Sequence, residues 1–167
     1  MTRRTRAREI ALQVLYQIEQ NPAIDRGEVR LFINRRLRGD EKLCAFAESL
    51  VTGVETLRTQ IDRLITEAAE NWRLDRMAAI DRNILRLGAY ELLHCPDVPA
   101  KVAINEALEL AKRYSTAQSS RFVNGVLDRL QTSRTQAAGV ATPAATSAGE
   151  PEDVPVQDAS PMPDKRS

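Results

Sequence analysis

The first residues of the chain form a dense group of arginines. Arg3, Arg4, Arg6 and Arg8 occupy four of six consecutive positions. A guanidinium group can bond a phosphate through two N–H donors and can stack on a base, so this group suits binding to nucleic acid. The net charge of the whole chain is +1, so attraction for RNA has to come from such local clustering. The alternative is a basic N-terminus that is merely solvated.

An amphipathic helix is expected to carry these arginines. Up to Gln20 the apolar residues recur at helical spacing and share one face, namely Ala7, Ile10, Ala11, Val14, Leu15 and Ile18. Tyr16 projects almost opposite the centre of that face, near Glu9 and Gln13. It is a surface tyrosine, a tyrosine covered by a later helix, or a platform on which a base stacks beside the arginines.

Residues with catalytic or metal-binding potential are few. The chain has two cysteines and one histidine, and His94-Cys95 precedes Pro96 at an apparent helix end, where a capping or incidental role fits best. We find no phosphate-binding glycine loop, dinucleotide motif or zinc-protease motif. The sequence therefore predicts a protein that is not an enzyme and needs no cofactor. It shows no membrane span and no signal peptide, so we expect a cytoplasmic protein.

The remaining pattern predicts an all-α protein, a compact bundle of six or seven helices. Hydrophobic residues make up 43% of the chain and aromatic residues 4%, so the core should consist of aliphatic side chains. The apolar pattern over residues 41–69 fits one helix bent near Gly53 or two helices in succession. Asp75 is the expected N-cap of a further helix over residues 76–93.

Residues 98–130 predict two helices that are joined by a short polar turn and pack antiparallel. Asn105 and Asn124 are unusual in helix interiors, and we interpret them as core amides bonded across helices, with a ligand contact as the alternative. Gly125 suggests close approach of a neighbouring backbone.

Residues 134–167 differ in composition from the rest. They are rich in Ala, Pro, Thr, Ser, Asp and Glu and have almost no large apolar residues. Such a segment buries too little surface to offset its ordering entropy. We expect a helical domain over residues 1–133 and a disordered low-complexity C-terminal tail over residues 134–167.

Three sequence blocks resemble the NusB family of bacterial transcription antitermination factors. They are IDRNILRLGAYEL at residues 80–92, KVAINEALELAK at residues 101–112 and RFVNGVLDRL at residues 121–130. The arginine-rich start also resembles that family's N-terminal segment. The resemblance covers about residues 3–131 and implies the NusB fold, two small helical subdomains side by side.

The resemblance also implies a function and its residues. NusB proteins bind boxA, a single-stranded RNA element of ribosomal RNA transcripts, together with the ribosomal protein NusE, in an RNA polymerase elongation complex with other Nus factors. The implied RNA-binding residues on the first helix are the four arginines Arg3, Arg4, Arg6 and Arg8, together with Gln13 and Tyr16. At the last interhelical turn they are Tyr114 and Gln118. Asp81 is the implied partner-binding residue. A monomer and a homodimer both fit the resemblance.

Two other functions compete with this one. The chain could be a protein-only helical adaptor within a transcription complex, with its arginines merely solvated. It could also be a fragment of an enzyme, because a related helical domain occurs fused to RNA cytosine methyltransferases. The absence of a cofactor-binding domain from the sequence argues against the fragment.

Overall fold

The structure, a computed structural model, describes residues 1–70 and 72–140. Within them the chain forms seven α-helices, no strand and one short 3-10 turn at Leu74–Arg76. The helices are α1 (Arg3–Gln20), α2 (Arg26–Arg36), α3 (Glu41–Thr56), α4 (Arg58–Ala68), α5 (Ala79–His94), α6 (Ala100–Tyr114) and α7 (Ala117–Val140). The all-α class predicted from periodicity is confirmed.

Helix α5 occupies the centre of the bundle. It packs against α1, α3, α4, α6 and α7. Helices α1 to α3 form one group and α4 to α7 another, and α5 joins them through its contacts with α1 and α3. The buried apolar side chains are almost all Leu, Ile, Val and Ala, as the low aromatic content predicts.

The long apolar pattern over residues 41–69 divides into two helices. Helix α3 ends at Thr56 and α4 begins at Arg58, and Leu57 between them caps both helices. The prediction of two helices in succession is therefore correct, and that of one helix bent near Gly53 is wrong. Gly53 has another role. A Cβ atom there would overlap the ring of Tyr90, so this glycine allows α3 and α5 to approach closely.

A polar network ties the end of α1 to α4 and α5. Arg86 donates through Nε to Asp62 Oδ1 at 2.7 Å and through Nη1 to Glu19 Oε2 at 2.8 Å. Arg82 and Asn83 also donate to the Glu19 carboxylate. Burial raises the pKa of Glu19, but these bonds and charges outweigh it, so its pKa is lowered.

The start of α5 differs from the prediction. Asp75 lies inside the 3-10 turn, and the helix begins at Ala79 after Ala78, which offers no side-chain cap. The backbone at Met77 is extended, so the chain cannot pass from the turn directly into the helix. The acidic residue in the first turn of α5 is Asp81.

Two interpretations of the last helix pair are wrong. Asn105 and Asn124 are exposed, because α6 and α7 turn Ala103, Ala107, Val123 and Leu127 toward the core instead. A Cβ at Gly125 would meet no atom within 4 Å. The glycine therefore does not mark a close backbone approach.

Helix α7 continues beyond the predicted end of the helical domain. It runs to Val140, so residues 134–140 are helical rather than part of a tail. Arg134 donates through Nη1 to the Leu92 carbonyl oxygen, which satisfies a carbonyl at the end of α5. The rest of the predicted tail, residues 141–167, lies outside the described residues.

Candidate nucleic-acid interface

The four predicted arginines lie in the first two turns of α1, on different sides of the helix. Arg3 and Arg4 are exposed. The guanidinium of Arg3 contacts the carboxylate of Asp40, and that of Arg4 lies 4.6 Å from the ring centre of Phe46. Both arginines therefore lie against the start of α3 while remaining open to solvent.

Arg8 does not join the others at the surface. Its side chain is 3% exposed and pairs with Glu91, with Nε 2.7 Å from Oε1 and Nη2 2.8 Å from Oε2. Glu106 Oε1 lies 3.7 Å from its Nη1, and Thr5 donates to the same oxygen at 3.0 Å. We call Arg8, Glu91 and Glu106 the closed cluster.

The closed cluster holds α1 to α5 and α6. Burial lowers the pKa of Arg8, but the hydrogen bonds and charge of Glu91, and then the charge of Glu106, outweigh it and raise the pKa. A guanidinium already committed to the buried carboxylate of Glu91 and the half-buried carboxylate of Glu106 cannot reach a phosphate without leaving those charges unpaired. We therefore correct the expectation for Arg8. Its burial and its pairing with Glu91 and Glu106 place it to hold α1 against α5 and α6, and they argue against a contact with RNA.

The next residue, Glu9, gathers a second group of polar side chains. Its carboxylate accepts from Arg6 Nη1 at 2.6 Å, from Arg113 Nη1 at 3.2 Å and from the hydroxyl of Tyr114. Gln13 Nε2 donates to that hydroxyl oxygen at 3.3 Å. We call Arg6, Glu9, Gln13, Arg113 and Tyr114 the open cluster, because the side chains of Arg6 and Arg113 are 36% and 46% exposed.

Electrostatics holds the open cluster in one arrangement. Burial raises the pKa of Glu9, but the hydrogen bonds from Tyr114, Arg6 and Arg113 outweigh it, so its pKa is lowered. Burial and the bond to Glu9 raise the pKa of Tyr114. Glu9 thus stays ionised and orients two arginines that keep part of their surface in solvent.

Tyr16 lies on the same stripe of α1 as the open cluster. Glu9, Gln13 and Tyr16 follow each other at spacings of four and three residues, which places them on one helix side. Tyr16 is 41% exposed, so no later helix covers it. The stripe presents cations and an aromatic face together, as proteins that bind single-stranded nucleic acid do.

Asp81 and Gln118 lie elsewhere, on one cleft of about 500 Å³ between α5, the start of α7 and the 3-10 turn. Asp81 Oδ2 accepts from Ser119 Oγ at 2.9 Å. Its Oδ1 is buried and has no hydrogen-bond partner among the described residues. We call this the aromatic cleft, because Trp72 and Phe122 line it with ring centres 4.7 Å apart.

Sequence reasoning missed several of these residues. Arg113 has no role in the sequence-based prediction of the site, although its position beside Tyr114 at the end of α6 was a signal. Trp72 also has no role in that prediction, because its 49% exposure follows from a tertiary arrangement that no local pattern reveals.

The cysteines and histidine do not form a reactive site. Burial, followed by the charges of Glu91 and Asp97, raises the pKa of Cys95 to about 11, so its thiol stays protonated near neutral pH. The imidazole of His94 stacks on Tyr90 with ring centres 5.7 Å apart. Across residues 1–70 and 72–140, no group of three or more His, Cys, Asp or Glu is arranged to hold a metal ion.

Within the described ranges, the seven helices pack around a central α5 and define an all-helical protein, and none of them is long and apolar enough to cross a membrane. Comparison with known proteins gives the family. The NusB family model matches residues 5–132. The chain belongs to the NusB family.

Relatives and solved structures agree with this assignment. The transcription antitermination protein NusB of Myxococcus xanthus is 47% identical over 133 residues, covering 78% of this chain and 95% of the relative. That of Anaeromyxobacter sp. is 50% identical over 134 residues, covering 77% and 89%. These are transcription antitermination factors and not enzymes, so the predicted absence of catalysis is confirmed by family.

Two solved structures share the fold. The structure of T. maritima NusB has a TM-score of 0.69 at 38% identity and covers 79% of this chain and 92% of that one. A crystal structure of antitermination factors NusB and NusE in complex with double-stranded RNA has a TM-score of 0.70 at 26% identity, covering 80% and 98%.

Proposed function

We propose that this chain is a non-catalytic, RNA-binding transcription antitermination factor whose residues 1–133 form the RNA-binding domain. It binds boxA-type single-stranded RNA of ribosomal RNA transcripts together with NusE and promotes processive elongation by RNA polymerase in the cytoplasm. Membership of the NusB family supports this proposal, as does the solved relative that holds NusE and RNA.

The observation that carries the proposal is the stripe of α1 that joins the open cluster to Tyr16. Arg6 and Arg113 are oriented by Glu9 yet partly exposed. A guanidinium has five donors, so each arginine can add a phosphate contact without leaving Glu9. Arg3 and Arg4 extend the basic surface toward α3, and Tyr16 offers a base its ring.

The aromatic cleft supplies the second part of the interface. Asp81 has one carboxylate oxygen committed to Ser119 and one without a partner among the described residues. Both Asp81 and Gln118 line this cleft, and we assign Asp81 to the protein partner and Gln118 to the RNA, as the resemblance to the family implies.

The test is a salt titration of RNA binding. A boxA-like RNA and a scrambled control are titrated with and without NusE against the wild type and a variant carrying Arg3→Gln, Arg4→Gln and Arg6→Gln. Each lost phosphate contact should reduce the slope of log affinity against log salt by about 0.7. The triple variant should therefore lose about 2 units of slope. Tyr16→Ala should weaken binding by about 1–3 kcal/mol.

Two exposed arginines of α4 provide the matched control. Arg58→Gln with Arg63→Gln removes charge from side chains that are 48% and 68% exposed, on a helix that packs against α5 and α7. This control should leave the slope nearly unchanged. Equal losses per charge removed, two in the control and three in the α1 variant, would show that the effect is one of net charge and would overturn the site.

The aromatic cleft also favours one alternative, a protein-only adaptor. An exposed tryptophan beside a half-satisfied carboxylate is typical of a protein-binding surface. In that case the wild type binds NusE, Asp81→Asn weakens that binding, and neither RNA binds at low salt. Preference for boxA that is strengthened by NusE would exclude the adaptor.

A further inference from the structure

A second basic group lies where α2 ends and α3 begins. Arg35, Arg36, Arg38 and Lys42 are four of the eight residues in positions 35–42. All four are exposed. Within the described residues none of them forms an ion pair with a carboxylate, although Asp40 and Glu41 lie in the same stretch. We call these four residues the turn strip.

The turn strip adjoins the basic start of α1. The guanidinium of Arg3 contacts the carboxylate of Asp40, two residues from Arg38. Asp40 is also the N-cap of α3, because its Oδ1 accepts from the Leu43 backbone N at 3.0 Å. One acidic residue therefore fixes the turn and links it to α1, so the arginines of α1 and the turn strip form one continuous basic surface.

Two arginines of this surface are held by aromatic rings. The guanidinium of Arg36 lies 5.8 Å from the ring centre of Phe32, and that of Arg4 lies 4.6 Å from that of Phe46. A cation held over a ring face is oriented by the ring quadrupole. Its N–H donors are not used in this contact, so they remain able to bond a phosphate.

Arg38 also has an unusual backbone conformation, with a positive φ. Arg38 has φ 55° and Gly39 has φ 69°, and the Gly39 N–H donates to the Asn34 carbonyl at 2.9 Å to close α2. A residue with a Cβ is disfavoured in this left-handed region, where Gly or Asn would fit better. Interaction with the helix dipole accounts for Arg35 and Arg36, which lie in the last turn of α2. It does not account for Arg38, which lies beyond the helix end.

We propose that Arg36 and Arg38, with Lys42, bind the sugar–phosphate backbone of RNA that continues past the α1 stripe. This inference rests on the proposed function and extends its footprint to α2 and α3. The strip offers positive charge without groups arranged to read a base edge, so it contributes affinity without sequence preference. A strand that ends at the α1 stripe does not reach it.

The test compares RNAs of two lengths on one variant. Arg36→Gln combined with Arg38→Asn removes two cations, and asparagine suits the backbone at position 38, so this variant keeps its fold. The probes are a boxA-like RNA alone and the same RNA with unstructured extensions at both ends. With the extended RNA, the variant should lose about 1.4 units of salt slope, at about 0.7 per contact. Its affinity should fall roughly tenfold, as expected for two exposed charge contacts.

With the short RNA, the variant should match the wild type. The loss with extended RNA should be equal for natural and scrambled extensions, since phosphates carry no sequence information. Arg58→Gln with Arg63→Gln is again the control and should behave as the wild type. If the wild type binds the extended RNA and the strip variant keeps the full slope, the strip is not a phosphate site while the proposed function stands. If the wild type binds neither RNA, the proposed function fails and this inference with it.

Discussion

Arg8 and Glu9 are neighbours in α1, yet they belong to ionic clusters of different kinds. The closed cluster around Arg8 has side chains that are 2–17% exposed. The open cluster around Glu9 buries the acid at 6% exposure but leaves its arginines partly in solvent. An arginine on one side of α1 therefore stabilises the fold, whereas an arginine on the other side is available for binding.

The two clusters differ in which of their charged groups are removed from water. In the closed cluster both signs of charge are removed from water, so each ion depends on its partner. In the open cluster only the carboxylate is removed from water, and it fixes cations that can still meet a ligand. An arginine-rich segment cannot be treated as one binding element until the face of each arginine is known.

The largest expected effect comes from breaking the closed cluster. Arg8→Ala leaves the buried carboxylate of Glu91 without its cation, and we expect a loss of about 3–5 kcal/mol in the free energy of unfolding. Chemical denaturation measures it. Arg6→Ala, which removes a partly exposed cation from the open cluster, should cost less than about 1 kcal/mol.

A double variant keeps this comparison informative even if Arg8→Ala does not fold. Arg8→Met combined with Glu91→Leu replaces the two buried ions with apolar side chains of similar size and should recover most of the lost stability, since the half-buried Glu106 still accepts from Thr5. Equal losses for Arg8→Ala and Arg6→Ala would show that the two clusters do not differ in the way described.

A smaller effect is expected from the acid of the open cluster. Glu9→Gln weakens charge-assisted hydrogen bonds from Arg6, Arg113 and Tyr114, and we expect a loss of about 1–3 kcal/mol at pH 7. Because the folded-state pKa of Glu9 is lowered, its stabilisation is present above the unfolded-state pKa. It is lost as the pH falls through the folded-state pKa.

The measurement is denaturation of wild type and Glu9→Gln from about pH 7 to about pH 3. The gap in stability between the two should narrow on acidification. Glu19 is present in both proteins, and its pKa is also lowered in the folded state. Both proteins should therefore lose stability in acid. A gap that stays constant across this range would contradict the assigned role of the Glu9 charge.

The fold was predictable from the sequence because helical periodicity is local. The apolar face of α1 and the last two helices follow directly from spacings of three and four residues. Boundaries were less certain where no local rule decides them. Asp75 has the chemistry of an N-cap, but the following extended backbone at Met77 delays α5 to Ala79, and that depends on how the turn packs.

The site was only partly predictable because its pairings are long-range. Arg8 and Glu91 are 83 positions apart, so the burial of Arg8 could not be inferred from its cluster of arginines. The available signal was that Ala7, Ala11 and Leu12, which lie one, three and four positions from Arg8, are apolar, so position 8 borders the apolar face of α1. The stripe of Gln13 and Tyr16 was found because it depends on one helix alone.

The smallest expected effect concerns Asn105, the neighbour of Glu106 on α6. Glu106 belongs to the closed cluster, whereas Asn105 is exposed and its amide has no hydrogen-bond partner in the described part of the chain. Alanine is the better helix former, so Asn105→Ala should raise the free energy of unfolding by about 0.5 kcal/mol. Asn124→Ala on α7 is the matched control, since it is exposed in the same way.

Both variants should bind RNA and NusE as the wild type does if these asparagines have no ligand. If one of the variants is more stable but binds more weakly, the asparagine it replaces belongs to a contact surface. An exposed residue that lowers stability and contacts nothing in the fold then has its role in binding the ligand. The comparison between α1 and α6 would then repeat itself, because on each helix a residue of the closed cluster, Arg8 or Glu106, would adjoin a residue that serves ligand binding.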